Sequence, residues 1–188
     1  MRLLTLMAVL GTLLASESGA TPPGKYVDEN FNAAFPPAGW IAEGTGNWVW
    51  RREYEGGNPH AFGRALVTGG RESTATLHTL EFHLNAGSRV RVKFRYKSTS
   101  GGYINTWRNV RLGSFWSEKL QYTKNWMNLD RATGPCPSPG KYRLRWRIGA
   151  SGGSSGGEIT LRLDDVLVTD INMTVTPATF GRVKAIFR

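Results

Sequence analysis

The sequence predicts an all-β protein built as an antiparallel β-sandwich. Two stretches, SRVRVKFRYK at 88–97 and GKYRLRWRIGA at 140–150, alternate apolar and basic residues with a period of two. That period is typical of a strand with one buried and one exposed face. Other short strand-like runs recur between turns rich in glycine, proline and serine, and the 188 residues include 23 glycines. The body of the chain has no helical periodicity, which favours a sandwich.

The two ends of the chain differ from its body. A short basic start, an apolar run at 3–15 and small residues at 18–20 predict a signal peptide over 1–20. Cleavage nearer Ala15 and a retained anchor are the alternatives. We expect a lead-in at 21–26, one domain at 27–170, and a C-terminal tail at 171–188 that contains Pro177. Because no second long apolar run follows, we expect a secreted or cell-surface protein with no transmembrane segment in the mature chain.

Strand signals follow one another through the predicted domain. In order they are YVDENFN, NWVWRREY, RALVTG, HTLEFHL, SRVRVKFRYK, the weaker TWRNVRLGSFW and EKLQYTK, GKYRLRWRIGA, and GEITLRLDDVLVTD. In the last of these, the apolar positions up to Leu163 and those from Val166 are one step out of phase. A phase slip inside a strand predicts a β-bulge at Asp164 and Asp165.

The charge balance favours an anionic partner. The chain has 24 Lys and Arg against 14 Asp and Glu, a net charge of +10. Loss of residues 1–20 would remove only Arg2 and Glu17, so the excess of cations persists. Acidic glycans, lipid head groups and nucleic acids are the anionic partners that such a charge attracts, and export disfavours nucleic acid. The single cysteine, Cys136, excludes an internal disulfide.

Basic residues occupy the outward parity of both alternating strands. Arg91, Lys93 and Arg95 lie on the first, and Arg143, Arg145 and Arg147 on the second. If the two strands share a sheet, these like charges crowd one face and need acidic neighbours or an external polyanion. We therefore take these six residues as candidate ligand-binding residues. The alternative is a solvated face that prevents edge-to-edge aggregation.

Aromatic residues supply a second set of candidates. The chain has seven tryptophans. Trp146 alternates with core positions, whereas Trp107, Trp116 and Trp126 lie in the weakly patterned middle of the domain. An exposed ring with polar neighbours can stack on a sugar, so these three are candidate ligand-binding residues, with core burial as the alternative.

Catalytic chemistry is not indicated by the sequence. The three histidines are His60, His78 and His83. On one strand, the last two would point to opposite faces because their spacing is odd. No recognised hydrolase, metalloprotease or phosphate-binding motif is present, so we do not expect an enzyme.

Three stretches together carry a resemblance to a known family. They are DENFNAAFPPAGW at 28–40, LHTLEFHLNAGSRVRVKFRYKS at 77–98, and LRLDDVLVTD at 161–170. In this order they resemble the bacterial choice-of-anchor and cleaved-adhesin domains, which are jelly-roll modules similar to the eukaryotic MAM domain. The resemblance implies a jelly-roll sandwich on a secreted or surface-anchored bacterial protein, with a binding or adhesion role.

The resemblance also implies structural calcium between the opening and closing strands. The matching residues are Asp28, Asn30 and Asp165, with Glu29 and Asp164 as neighbours. Calcium binds several hard oxygens, and two neighbouring strands can supply them. The alternative is that Asp164 and Asp165 only cap the bulge and that Asp28 is solvated.

These observations lead to one functional hypothesis and two alternatives. We expect a secreted, non-catalytic binding or adhesion module that recognises a glycan or an anionic cell-envelope polymer. One alternative is a structural module of an extracellular or surface layer, held by contacts with other surface proteins. The other is an accessory domain that serves a separately encoded hydrolase.

Overall fold

A computed structural model describes residues 24–52, 59–68, 71–102, 105–152 and 156–171. The predicted signal peptide and all of the tail except Ile171 lie outside these residues. The protein is an all-β, antiparallel jelly-roll sandwich, as predicted. Among the residues that the structure describes, no helix has the length and apolar character needed to cross a membrane.

The described chain forms thirteen strands. They are β1 (Lys25–Glu29), β2 (Ile41–Gly44), β3 (Asn47–Arg52), β4 (Pro59–Val67), β5 (Ser73–His78), β6 (Phe82–Leu84), β7 (Val90–Gly101), β8 (Asn105–Leu112), β9 (Trp116–Lys119), β10 (Thr123–Ala132), β11 (Gly140–Tyr142), β12 (Leu144–Ser151) and β13 (Gly157–Asp170).

The strands are arranged in two main layers. Sheet 1 has the order β10-β7-β13-β4-β3, and β1 also pairs with β13. Sheet 2 has the order β2-β5-β12-β8-β9, and β6 and β11 form a separate pair. Both predicted alternating strands are therefore present, β7 in sheet 1 and β12 in sheet 2, and the two sheets enclose the core between them.

The inward faces of these two strands are buried as their alternation predicts. Val90 and Val92 on β7 and Leu144 and Ile148 on β12 have no exposed surface. Burial of such apolar side chains is the main stabilising contribution to a fold of this kind. Basic residues occupy the intervening positions and face outward.

An aromatic cluster joins the two sheets through the centre of the core. The ring of Trp146 in sheet 2 stacks on Trp40 at 5.9 Å between centroids. It also meets Phe94 of sheet 1 edge to face at 5.4 Å. Trp40 belongs to the PPAGW segment, and Trp146 is completely buried. The core role predicted for Trp146 is confirmed.

The predicted bulge in the last strand is also present. The β13–β7 register shifts between Asp164 and Leu167, and Asp165 has a φ of 50°. The backbone N–H of Asp165 donates a hydrogen bond to Oδ1 of Asp164 at 2.9 Å. The bulge lies where β13 changes neighbours, since β4 pairs with its first half and β1 with its second.

Several elements differ from the sequence-based prediction. The sequence did not indicate β2 and β10, and the structure divides HTLEFHL into β5 and β6. The break follows from Thr79, whose backbone N–H donates to the carbonyl of Leu144 at 2.9 Å. Cys136 lies in the loop between β10 and β11, and its side chain is buried in the core.

Candidate functional site

The two basic strands do not share a sheet. β7, which carries Arg91, Lys93 and Arg95, lies in sheet 1, and β12, which carries Arg145 and Arg147, lies in sheet 2. The condition under which all six cations would crowd one face is therefore not met. They divide into two groups on opposite outer surfaces of the sandwich.

On sheet 1 the basic row is neutralised by carboxylates of the same sheet. Asp130 on β10 accepts hydrogen bonds from Arg91 at 2.7 and 2.9 Å, and its carboxylate lies 3.3 Å from Nζ of Lys93. The hydrogen bond from Arg91 holds the pKa of Asp130 below its usual value. Arg95 lies 3.3 Å from Asp165. This surface supplies its own counter-charges.

Beside Arg95 lies a carboxylate with an altered pKa. Asp164 is buried, and burial, followed by the charge of Asp165, raises its pKa to about 6. Its Oδ2 is 3.8 Å from Nη1 of Arg95. The guanidinium of Arg95 also lies 5.1 Å above the ring of Trp126, and His60 meets that ring edge to face at 5.6 Å. Trp126 thus packs within sheet 1 and is covered by Arg95.

The outer surface of sheet 2 is organised in three cross-strand rows, and we call it the sheet-2 face. The antiparallel registers align side chains directly across β2, β5, β12, β8 and β9. The first row is Ile41, His78, Arg145, Arg111 and Ser117; the second is Glu43, Thr76, Arg147, Asn109 and Lys119; the third is Thr74, Gly149 and Trp107.

Three arginines on the sheet-2 face are not neutralised in this way. Arg145 is directly opposite Arg111, and Arg147 is one row away on the same strand. Within the described ranges, none of the three lies within ion-pair distance of a carboxylate. The nearby carboxylate of Glu43 is 2.8 Å from Nε2 of His78 instead. The sheet-2 face therefore carries positive charge that no carboxylate of the described residues neutralises.

A tryptophan ring covers the third row. A Cβ added to Gly149 would lie 2.3 Å from Cε2 and Cζ2 of Trp107, so the indole occupies the space of the missing side chain. Glycine within a strand is typical of such close approach. Trp107 is half-buried on the outer side of the sheet, where the neighbouring row carries Thr76, Arg147 and Asn109. Aromatic rings placed in this way can stack against the apolar face of a sugar.

Two shallow clefts flank Arg145 on the sheet-2 face. One, of about 380 Å³, is lined by residues that include His78, Arg111 and Tyr142. The other, of about 300 Å³, is lined by residues that include Thr74, Thr76 and Arg147. Arginine side chains therefore separate and line two adjoining depressions. This arrangement suits an elongated polar ligand better than a small enclosed one.

The remaining sequence-predicted residues have other surroundings. Arg143 donates hydrogen bonds to the backbone carbonyls of Gly39 and Thr79 at 2.9 and 2.8 Å, so it ties the PPAGW segment to the sheet. Trp116 lies opposite Leu112 and packs against the core. Of the nine predicted ligand-binding residues, the sheet-2 face brings together Trp107, Arg145 and Arg147, with Arg143 at its border.

Sequence reasoning did not find several residues of the sheet-2 face. Arg111, Asn109 and His78 become its members only through strand pairing. Gly149 carried a local signal, because a glycine interrupts the bulky alternation of GKYRLRWRIGA, but its partner could not be read from the sequence. His78 and His83 belong to different strands, so the parity argument that compared them does not apply.

The predicted calcium ligands lie at the junction of β1 and β13, which are paired as neighbours. In this arrangement Asp28 accepts a hydrogen bond from Lys25 at 2.6 Å, and Asp165 interacts with Arg95. Oδ1 of Asn30 accepts the backbone N–H of Asn32 at 3.1 Å. In the described part of the chain, no group of three or more His, Cys, Asp or Glu side chains is placed to hold a metal. Calcium would have to displace internal cations, and it stays a prediction.

Comparisons with known proteins show the fold. No protein-family model matches the sequence, and no curated protein does. An arabinose-bound α-L-arabinofuranosidase, MgGH51, is similar at a TM-score of 0.54 and 12% identity, over 84% of this chain and 28% of that one. The chain thus spans less than a third of that enzyme. At this identity the likeness shows a shared β-sandwich and nothing more.

Solved structures of similar fold also include carbohydrate-binding and adhesin domains. The CBM22-1 xylan-binding domain of Paenibacillus barcinonensis Xyn10C has a TM-score of 0.48 and 15% identity, over 81% of this chain and 98% of that one. The K3 cleaved adhesin domain of Lys-gingipain from Porphyromonas gingivalis has a TM-score of 0.47 and 15% identity, over 77% of this chain and 99% of that one.

Proposed function

We propose that this protein is a secreted, non-catalytic module that binds glycans through the sheet-2 face. The observation that carries the proposal is the ring of Trp107 on Gly149, next to a surface of arginine, asparagine and threonine side chains. A stacking ring beside hydrogen-bonding groups is the combination that sugar recognition requires, because a pyranose offers both an apolar face and a rim of hydroxyls. Secretion is inferred from the predicted signal peptide.

The geometry supports binding rather than catalysis. Among the described residues, the carboxylates on or beside the sheet-2 face are Glu43, which lies 2.8 Å from His78, and Glu81, which lies 3.1 Å from Lys141. Glycoside hydrolysis needs two carboxyl groups facing each other across the scissile bond. The sheet-2 face offers donors and a ring instead, which hold a ligand without reacting with it.

The proposal is tested by glycan-array screening of the protein, followed by titration calorimetry on each ligand found. We expect Trp107→Ala to lower the affinity by about tenfold, because loss of a stacked ring costs on the order of 1.5 kcal/mol. The control is Trp50→Ala, which removes an exposed tryptophan from β3 of sheet 1. Absence of glycan binding, or equal losses in both variants, would contradict the proposal.

A further inference from the structure

We infer that the ligand of the sheet-2 face is an acidic glycan, whose carboxylate or sulfate groups are bound by Arg111, Arg145 and Arg147 beside Trp107. This inference rests on the proposed function and specifies the class of its ligand. The negative charges of the ligand would neutralise arginines that the described carboxylates do not neutralise. The same chain neutralises a comparable basic row on its other side.

The two outer surfaces of the sandwich differ in how their basic residues are neutralised. On sheet 1, Arg91 and Lys93 share Asp130, and Arg64 lies 2.7 Å from Glu158 on the neighbouring strand. On sheet 2, Arg145 and Arg111 are directly opposed, an arrangement of like charges that destabilises a strand pair. The sheet-2 face therefore retains a cost in stability that an anionic ligand would remove.

The cations at the centre of the sheet-2 face are all arginines, whose geometry suits an anionic group with two acceptor oxygens. Arginine has a planar group of donors that binds a carboxylate or sulfate through two parallel hydrogen bonds. The guanidinium groups of Arg111 and Arg147 are on exposed residues, and that of Arg145 is on a half-exposed one. No described carboxylate occupies these donors. Three such side chains on adjacent strand positions suit repeated anionic groups better than one small anion.

The aromatic ring and the arginines follow one another along β12. Along β12 the face presents Gly149 under the Trp107 ring, then Arg147, then Arg145. Positions two apart on a strand are separated by about 6.6 Å, so the ring and the two cationic rows are evenly spaced. A sugar chain lying along β12 would place one residue on the ring and anionic groups over the two arginine rows. The clefts on both sides of Arg145 lie along the same path.

The charged groups at the borders are consistent with this path. Glu43 on β2 is held by His78, and Glu81 is held by Lys141 and lies 3.9 Å from Arg143. Lys119 on β9 continues the Arg147 row at the opposite edge. Glu43 also lines the smaller cleft beside Arg145 and Arg147, but it lies on the β2 edge with its carboxylate against His78. The described carboxylates therefore follow one border, and the centre of the face is cationic.

Binding is measured by calorimetry with matched pairs of probes. Polygalacturonate oligomers are compared with their fully methyl-esterified form, in which uncharged methyl esters replace the carboxylates on the same sugar backbone, and dextran sulfate is compared with dextran. The first pair tests carboxylates and the second tests sulfates, so tight binding of either charged member supports the inference. We expect at least about tenfold weaker binding to the uncharged members, because a hydrogen bond to a charged group contributes on the order of 1.5–3 kcal/mol.

Two variants that lose the same charge distinguish binding at the sheet-2 face from nonspecific electrostatic attraction to the whole protein. Arg145→Gln with Arg147→Gln removes two cations from the sheet-2 face, and Arg89→Gln with Lys124→Gln removes two exposed cations from elsewhere. We expect the first pair to weaken binding of the acidic probe about a hundredfold or more and the second by less than about threefold. Equal losses in the two variants would overturn the inference.

Stability provides a readout that does not depend on a ligand. Because Arg145 opposes Arg111 without a counter-charge from the described residues, Arg145→Gln should leave the melting temperature unchanged or raise it. Added salt should reduce the difference in melting temperature between the variant and the wild-type protein. A marked fall in the melting temperature would overturn the inference, since it would show that Arg145 has a stabilising partner within the protein.

The remaining outcomes distinguish failure of this inference from failure of the proposed function. Equal binding of the charged and uncharged members in both probe pairs, with loss in Trp107→Ala, would overturn the acidic ligand and leave a neutral-glycan module. Binding only to vesicles of anionic phospholipid, with the same dependence on Arg145 and Arg147, would overturn both.

Discussion

The indole of Trp107 lies against the Cα of Gly149, on the strand directly opposite, in the space that any side chain at that position would need. Gly149→Val should displace this ring from the sheet-2 face. We expect loss of glycan binding measured by calorimetry, with a change in tryptophan fluorescence and a stability cost of about 1–3 kcal/mol from overpacking.

The matched control for this change is Gly101→Val. Gly101 is also a strand glycine, but nothing lies within 4 Å of a Cβ placed there. The control should retain both glycan binding and the wild-type fluorescence. Retention of full binding by Gly149→Val would show that the position of Trp107 does not matter.

The raised pKa of Asp164 predicts a dependence of stability on pH. The folded state holds this proton more tightly than the unfolded chain, whose carboxyl has a pKa of 3.8. Its contribution to stability is therefore fully present below pH 3.8 and is lost as the pH rises through about 6. Asp164→Asn should stabilise the protein by about 1–2 kcal/mol more at pH 7.5 than at pH 4, allowing for Arg95 and solvent access.

This difference is measured by urea unfolding of both proteins across that pH range. Asparagine keeps the Oδ1 acceptor that the N–H of Asp165 uses at the bulge, so the substitution removes the charge and retains the hydrogen bond. An effect of Asp164→Asn that is the same at every pH would contradict the burial of an ionising carboxyl.

Removal of the Asp130 carboxylate should leave basic residues on the outer surface of sheet 1 without a counter-charge, as on the sheet-2 face. Asp130→Asn leaves Arg91 and Lys93 without their shared carboxylate. We expect stronger retention on an immobilised polyanion, with a steeper dependence on salt than the wild-type protein shows. Unchanged retention would mean that Asp130 does not neutralise this surface.

The core prediction concerns Trp146. Truncation to alanine would leave a cavity between the sheets and separate Trp40 from Phe94, which both contact its ring. We expect Trp146→Ala to lower the free energy of unfolding by about 3–5 kcal/mol. Trp50→Ala, at a tryptophan with 40% of its surface exposed, should cost less in the same urea titration.

Calcium at the β1–β13 junction is tested by thermal unfolding. If Asp28, Asn30 and Asp165 bind the ion, calcium at a hundred times its dissociation constant adds about 2.7 kcal/mol of stability. Asp165→Asn should abolish the rise in melting temperature. Identical melting curves in calcium chloride and in chelator would contradict calcium binding at this junction.

The sequence predicted the elements whose inward face is fully buried. β7, β12 and β13 alternate cleanly because each is flanked by strands on both sides and covered by the other sheet. The phase slip at Asp164 was readable for the same reason, because both halves of β13 keep their apolar positions buried. β2 has four exposed residues and β10 buries only Leu129 deeply, so neither has an alternation to detect.

The site was only partly predictable because its geometry depends on pairing between distant strands. Nothing local to Arg145 indicates that Arg111 is its neighbour, or that Arg91 belongs to the other sheet. Trp107 and Trp116 look equivalent in the sequence, yet one lies on the outer surface and the other packs against the core because they differ in parity relative to Leu112. The sequence indicated that basic and aromatic residues are candidates for ligand binding, but it did not indicate which of them lie next to one another.

Strand β13 has a consequence for how the polypeptide reaches this fold. It pairs with β7 along one edge and with β4 and β1 along the other, so the pairs β3–β4 and β7–β10 meet only through it. Among the strands that the structure describes, β13 at residues 157–170 is the last to be synthesised. We therefore expect the β13–β7 and β13–β4 pairings of sheet 1 to form only after residues 157–170 have been synthesised, and the high sequence separation of these contacts favours slow folding.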